Sequence, residues 1–353
     1  MASSSASKPL TRNIKAKKKM PSKKPLLLWG AVIAVVIGIA VLSFPYFFSF
    51  QIQQEQEIVT PTVKPFPVSV NPQGRSINEN AEVDAFFTKE NPSLSATSIK
   101  AKGILGTIAS IITSVPGYAL VGAAGMQFVT IYPGYRQEEV ARAFGKTLDW
   151  SREERAEFLT HTNTEAPTLG EGKFAPGTYE VNAGDDLDSI KRTLDERFHN
   201  TILSRYATST AEVVPLETAL TIASLLERET SDPDEMRIIS GIIWNRIWND
   251  MNLQIDATLQ YAKSSANKGK NDIWWPKVAP KDKYIKSSYN TYLNSGLPPT
   301  PIASPSVAAV VAALNPKKTD CIFYFHDKKG GFHCTATYKE HVALLKQYYG
   351  QGK

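Results

Sequence analysis

The chain has 353 residues, 42% apolar and 10% aromatic, with a formal charge of +6 at pH 7. This is the composition of an ordinary globular protein, and the length holds two modest folded units plus an anchor. Eight Lys or Arg and no acid fall in residues 1–24, so the net +6 less those eight leaves −2 for the remainder. The folded part therefore gives no electrostatic reason to expect a nucleic-acid partner.

Residues 1–24 read as a basic cytoplasmic tail. Leu26 to Phe50 then runs twenty-five residues without a charge, more than the ~20 that an α-helix needs to cross a bilayer. The stretch is too long for the usual core of a signal peptide and shows no small-x-small cleavage site, so residues 25–50 are expected to be a retained transmembrane helix. Lysines before the span and none directly after it orient the N-terminus to the cytoplasm and the remainder outside. A soluble core helix is disfavoured by the all-round apolarity beside a polybasic flank.

Residues 51 to about 76 are rich in Gln and Pro without helical periodicity and read as a spacer leading into a first strand. Gly103 to Tyr135 carries no charge. Its many Gly, with Pro116, suit a compact α/β segment better than a second span, which would return the rest of the chain to the cytoplasm. QFVTIYPGY predicts a strand and turn, and RQEEVARAFGKTLDWSREERAEFL an amphipathic helical stretch. GKFAPGTYEV and GDDLDSIKRTLDERFHNTILSRY repeat the pattern, with Asp185 or Asp186 near the helix N-terminus, where an acid complements the helix dipole.

From Pro215 to Trp248 the chain is predicted mainly helical. On a helical wheel Leu216, Ala219, Leu220, Ala223 and Leu226 form an apolar stripe that contains Glu227. Glu229 falls beside the polar arc of Glu217, Thr218, Thr221 and Arg228 and is expected to be a solvated surface acid. A carboxyl held against apolar neighbours has its pKa raised, as a general acid at neutral pH requires. The helix alone leaves open a buried carboxylate satisfied by Arg or backbone donors.

After an apolar helix ending near Asn249, an extended stretch is expected to place Gln254, Asp256 and Thr258 on one side. That row suits hydroxyl binding, or equally a polar strand edge in water. Tyr289, Asn290, Thr291 and Tyr292 lie beside a Pro- and Gly-rich turn. They suit a sugar cleft, although tyrosines in a structured loop also serve simple packing. A helix over about Ser306 to Leu314, a hairpin across DKKGG and a final helix from Tyr338 complete the chain. A turn centred on Lys329 and Gly330 places Cys334 opposite roughly Phe325, which argues against a cross-strand disulfide with Cys321. The cysteines show no metal-type spacing.

The ordered series IASLLERET (Ile222 to Thr230), IIWNR (Ile242 to Arg246), MNLQIDAT (Met251 to Thr258), YNTY (Tyr289 to Tyr292), GLPPTPIASP (Gly296 to Pro305), YF (Tyr324, Phe325) and TYKEH (Thr337 to His341) resembles the endolytic murein transglycosylases, the MltG or YceG-like family. VPGYAL and VTIYPGY look like pieces of that family's LysM-like module, and EGKFAPGTYEV resembles its EG…P-TY segment. The resemblance covers roughly residues 66 to 350 and is strongest after 215.

It implies an α+β protein: an N-terminal transmembrane helix, a linker over 51–65, a small LysM-like α/β module over 66–126, and a mainly helical, lysozyme-like catalytic domain over 127–350 ending in a β-hairpin. By position Glu227, the first acid of ERET, takes the place of the family's catalytic glutamate. Gln254, Asp256, Thr258, Tyr289, Asn290, Thr291 and Tyr292 would line the cleft. The implied reaction cleaves the β-1,4 bond between N-acetylmuramic acid and N-acetylglucosamine in nascent strands, leaves 1,6-anhydro ends and terminates strand elongation, with no metal or cofactor. The implied partners are peptidoglycan glycan strands and membrane peptidoglycan synthases, at the bacterial inner membrane. A hydrolysing muramidase, with Asp256 or Glu229 assisting water, and a membrane-tethered glycan-binding scaffold are the alternatives. Three positions depart from the family pattern: Ala257 stands where Pro is usual, Thr300 where Gly is usual, and His333 is displaced by one, so no role is carried to it.

Overall fold

A computed structural model describes residues 64–79, 126–160, 170–267 and 273–350, together with positions 32, 33, 35, 36, 39, 81, 83 and 87. The chain divides into two compact units, Met1–Phe44 and Pro45–Lys353. In the first, Val32, Ile33, Val35, Val36 and Ile39 are helical and exposed. The transmembrane expectation thus lies almost wholly outside the described residues, among which no helix is long and apolar enough to cross a membrane.

The second unit is α+β. Its first described strands, β1 (Val70–Asn71) and β2 (Ser76–Ile77), pair antiparallel. Most of the expected LysM-like module lies outside the described residues. The spacer does not reach residue 76, because Phe66 and Val70 are already buried in the main core. Ser69 N donates to Leu314 O, and Asn315 Nδ2 donates to Pro67 O, so this stretch is pinned by backbone as well as by its apolar side chains.

Strand β3 (Met126–Ile131) pairs antiparallel with β4 (Gly177–Asn182), from Met126 opposite Asn182 to Ile131 opposite Gly177. Between them lie α1 (Gln137–Thr147) and α2 (Arg152–Thr160). The single amphipathic stretch expected there is two helices, broken where Asp149 takes a left-handed φ of 54°. Helix α3 (Leu187–Thr201) follows β4, with Asp186 accepting from Ser189 N as its N-cap. Val129, Ile131, Val140, Phe144, Phe158, Phe174, Tyr179, Ile190 and Leu194 close these elements around one core.

A short α4 (Thr208–Val213) leads into α5 (Leu216–Glu229), and α6 (Pro233–Trp248) starts at a proline capped by Asp232. Helix α7 (Asp256–Ala266) and the loop 273–306 bring the chain to α8 (Val307–Leu314). VAAVVAAL is apolar all round, which suits only a helix buried on every side, and all of its residues except Val307 are buried. It packs on α5 and α6 within the larger core.

Strands β5 (Phe323–His326) and β6 (Phe332–Thr335) form the predicted hairpin, and α9 (Tyr338–Tyr349) ends the described chain. Thr337 and Glu340 cap α9 reciprocally, which gives the TYKE run a structural purpose. The IIWNR motif has one too. Asn245 Nδ2 donates to the carbonyls of Thr319 and Cys321, and Arg246 Nε to that of Ile322, so α6 steers the chain into the hairpin.

That steering overturns the expectation about the cysteines. Cys334 lies opposite Tyr324, one place from the predicted register, and Cys321 lies two residues before β5. Held off the strand path by Asn245, it meets Cys334 with a Cα separation of 5.7 Å and forms a disulfide. Counting across the turn failed because it assumed that Cys321 belongs to the ladder.

Candidate active site

Glu227 lies in the last turn of α5, where the helix is surrounded. Ala219 through Leu226 are all buried, including Thr221 and Ser224. The polar arc is therefore only partly polar in its surroundings: Thr221 Oγ1 donates to Glu217 O, Ser224 Oγ donates to Thr221 O, and Ile302 N donates to Ser224 Oγ. One oxygen of Glu227, Oε2, accepts two hydrogen bonds from Ser306, from the backbone N at 2.9 Å and from Oγ at 2.7 Å. Burial raises the carboxyl's pKa above the usual range, opposed by the Ser306 bonds and the Arg228 charge. The structure thus joins the two sequence readings: the group is desolvated as an acid requires, and one oxygen is satisfied by a backbone donor.

Two loops close on this glutamate. Gly134 N donates to Ser304 O, and Ser304 N donates to Tyr135 O. Gly134 has φ +82°, and a Cβ there would approach Arg228 Nη1 to 3.1 Å, so glycine allows the loop to lie against the end of α5. Gly172, at φ +87°, likewise lets Pro301 approach to within 2.6 Å of where a Cβ would stand. The PPTPIASP loop is held between these glycines and α5. Thr300, in place of the family's glycine, is accommodated there, its Oγ1 2.8 Å from Tyr289 Oη.

Glu229 is not the solvated surface acid expected. It is half-buried and accepts from Tyr324 Oη at 2.9 Å, and burial raises its pKa first, with the Asp256 charge adding to the rise. Asp256 accepts from Tyr292 Oη at 2.7 Å. Asp256 and Tyr292, two of the predicted cleft residues, thus stand with Glu229 and Tyr324 in one polar cluster at the end of α5. Burial also drives the Tyr324 hydroxyl far up, so it stays a donor.

The other predicted cleft residues divide. Gln254 and Asp256 are exposed, but Thr258 is buried, because the chain enters α7 at Asp256 and the expected alternation ends at Ile255. Gln254 itself has a left-handed φ of 51°, which breaks the extended path. Ala257, in place of the family's proline, sits in the first turn of α7, where either residue is accommodated. Thr258 Oγ1 lies 2.9 Å from Thr291 Oγ1, and Thr291 also accepts from the Gln254 and Ile255 amides. Asn290 is fully buried, donating to Lys283 O and Ile285 O and accepting from Tyr292 N. Thr258, Asn290 and Thr291 therefore build the wall rather than face it. Tyr289 packs against Tyr261 with the rings tilted and their centroids 4.7 Å apart.

The sequence gives Ser306 only as a helix start and Tyr324 only as part of a motif, and it assigns no site role to either or to the Trp274–Trp275 pair. Arg228 stacks on Trp275 at 3.8 Å, Trp275 Nε1 donates to Glu139, and Glu139 also accepts from Arg136 N. Arg136 lies over Tyr261 and Trp274. Beside it the buried Glu171 accepts from Gln137 N and Tyr261 Oη, and burial again lifts its carboxyl well above the usual range. His333 pairs with Asp327 across the hairpin turn, which holds that carboxylate down at about 2.

These shifts fix the pH dependence of stability. Glu171, Glu227 and Glu229 have raised folded pKa values. Their contribution is complete below the ordinary carboxylate range and is lost as pH rises through the raised values. Asp186, Asp282 and Asp327 are lowered, so theirs is present above that range and lost as pH falls through the folded values. The three glutamates lower the melting temperature as pH rises from the ordinary carboxylate range towards neutrality, against the opposite trend of His341, whose pKa burial lowers, and Glu227→Gln with Glu229→Gln should flatten that decline. A decline left intact in the double variant would exclude the two glutamates as its source.

Comparison with known proteins places this arrangement. The profile of the YceG-like family matches residues 97–347. The chain belongs to the YceG-like family. An endolytic murein transglycosylase of Bacillus subtilis is 29% identical over 248 residues, 64% of this chain and 67% of that protein. One from Streptococcus pneumoniae serotype 2 is 28% identical over 228 residues, covering 58% of this chain but 41% of the relative, so the chain spans under half of that protein's length. A YceG-like protein of Listeria monocytogenes, solved by crystallography, shares the fold with a TM-score of 0.54 at 24% identity, over 62% of this chain and 75% of that one.

Proposed function

We propose that this YceG-like chain is an endolytic lytic transglycosylase that cleaves the N-acetylmuramic acid to N-acetylglucosamine β-1,4 bond of nascent peptidoglycan and leaves 1,6-anhydro ends. The observation that carries the reading is Glu227: a carboxyl lifted by burial, with one oxygen engaged by Ser306. The similarity to proteins named endolytic murein transglycosylase supports the substrate.

Glu227, protonated, gives its proton to the glycosidic oxygen as the bond from C1 breaks and positive charge develops on the sugar. The resulting carboxylate then takes the proton of the muramoyl C6 hydroxyl as that oxygen bonds to C1. The ring closes, no water is consumed, and Glu227 ends protonated again. One carboxyl serves both steps because the nucleophile belongs to the substrate. Glu229 and Asp256, engaged by Tyr324 and Tyr292, form a polar wall beside it. The test is mass spectrometry of sugar ends after the protein acts on uncrosslinked strands. Anhydro ends are expected; reducing muramic ends would replace the reading with a hydrolysing muramidase.

The remaining expectations form one proposal: a basic tail over 1–24, a single span over 25–50, a linker over 51–65, a LysM-like module over 66–126 and the catalytic domain over 127–350. The catalytic domain then stands outside the inner membrane, within reach of the membrane synthases that supply nascent strands. The charge pattern of the first fifty residues supports this orientation. The Cys321–Cys334 disulfide supports it independently, since such bonds persist in oxidising compartments. A reporter fused after Lys353 should be active only in the extracytoplasmic space; cytoplasmic activity would overturn the topology.

A further inference from the structure

Ser306 stands at the meeting point of two hydrogen-bond systems. It is the N-cap of α8, its Oγ accepting from Ala309 N at 3.2 Å. The same Oγ and the Ser306 backbone N both reach Glu227 Oε2. The polarity of the backbone N–H bonds is forced, and that of the Oγ bond follows when Glu227 is ionised. A backbone N–H can only donate, and a hydroxyl has a single proton. Because Oγ receives the Ala309 proton on a lone pair, its own hydrogen is free for Glu227. Oε2 of the ionised carboxyl therefore receives two donors, and a neutral carboxyl keeps both by carrying its proton on Oε1. A neutral Glu227 that placed its proton on Oε2 would turn an O–H toward the Ser306 N–H and lose that bond, keeping at most a reversed one into the second lone pair of Oγ.

We propose that Ser306 is a positioning residue for Glu227, fixing the rotation of the carboxyl and dictating that Oε1 is the oxygen that carries and exchanges the proton. This rests on the transglycosylase reading for its purpose, although the geometry stands without it. The reaction needs one carboxyl to give a proton and then receive one at nearly the same place, and a carboxyl free to rotate about its last bond would present either oxygen. With Oε2 held, both transfers run through Oε1. The held oxygen also stands at the N-terminus of α8, where the helix dipole supports the carboxylate formed midway through the reaction.

The groups that act on this carboxyl are few. Arg228 on α5 is the charged one, and Arg228 is itself faced by Glu139 from α1 and by Glu229. Helix α8 supplies no titratable side chain. From α7, Asp256 is paired with Tyr292 and acts on Glu229; from α6, Glu235 pairs with Thr230 and His326. Ser306 is thus the main uncharged control on Glu227.

The experiment uses the full chain with Ser306→Ala, Ser306→Thr and Ser306→Asp. The C=O stretch of neutral Glu227, isolated by infrared difference against Glu227→Gln, reports the donors on Oε2 without reference to activity. In Ser306→Ala one donor is lost, so the band moves to higher wavenumber, and Ser306→Thr returns it. Loss of a bond to the charged form moves the basic limb of the kcat pH profile up by roughly one unit. It also lowers kcat about tenfold, with KM nearly unchanged. Ser306→Asp keeps an N-cap acceptor for Ala309 but sets a buried acceptor against Oε2, and is expected to lose activity while still folded, with a lower melting temperature than the wild type. An unmoved band in Ser306→Ala, or wild-type activity in a folded Ser306→Asp, would overturn the inference. A wild-type protein that releases no anhydro ends would instead overturn the functional reading, with the infrared result still deciding the geometry.

Discussion

Glu227→Gln is expected to reduce anhydro-end formation by about 100- to 10,000-fold, the usual range for removing a general acid and base. The fold should survive, for a reason visible in the site. Both bonds to this residue run from Ser306 to one oxygen, and a glutamine carbonyl can accept both. The desolvated carboxyl disappears with the substitution, so the melting temperature should stay level near pH 5 and rise slightly near pH 7. Quantifying anhydro-muramic ends beside thermal melts at both pH values gives the check. A folded variant that still cuts at the wild-type rate would remove Glu227 from the chemistry. Unchanged glycan binding and cellular function in that variant would favour the scaffold alternative.

The helical wheel found Glu227 because desolvation along α5 is a local, periodic property that neighbouring residues carry. It misplaced Glu229 for the same reason. The partner that takes Glu229 out of solvent, Tyr324, is 95 residues further on, and no pattern within α5 encodes it. Ser306, 79 residues from Glu227, was legible only as the start of a helix. Gln254, Asp256 and Thr258 show another limit. Three polar residues spaced by two fit a strand edge as well as a passage into a helix, and only the turn at Gln254 and the helix start at Asp256 decide between them. The most legible elements were β4 after its glycine turn, α6 to its end near Asn249, α8 over its apolar run and α9 from Tyr338.

The family motifs carry two kinds of information that sequence alone merges. ERET carries the acid proposed for the reaction, whereas IIWNR supplies donors that route the chain into the hairpin. In YNTY, Asn290 and Thr291 are buried supports, while Tyr292 reaches the acidic cluster. Polar residues that hold a loop and polar residues that hold a sugar look alike in sequence until burial separates them.

Arg136→Met is expected to be the most destabilising of the substitutions considered, at about 3–5 kcal/mol, the range for removing one partner of a buried charged network. Arg136 is 1% exposed. Its Nε and Nη2 grip both oxygens of Glu138 at 3.0 Å, and its Nη1 and Nη2 reach Ser264, Ser265 and the carbonyl of Tyr261 at the end of α7. The guanidinium also lies 3.9 Å above the Tyr261 ring. One side chain therefore joins the β3–α1 region to α7, and methionine fills the space while leaving Glu138 without its guanidinium partner. At a few degrees per kcal/mol for a unit of this size, the melting temperature should fall on the order of 10 °C. Activity should fall at temperatures below the melt as well. Arg136 holds Tyr261, Tyr261 packs against Tyr289, and Tyr289 meets Thr300 in the loop that leads to Ser306. Differential scanning calorimetry with rate measurements well below the transition separates the two effects. A melting point within about 2 °C of wild type would show that this connection is not the one holding the two regions together.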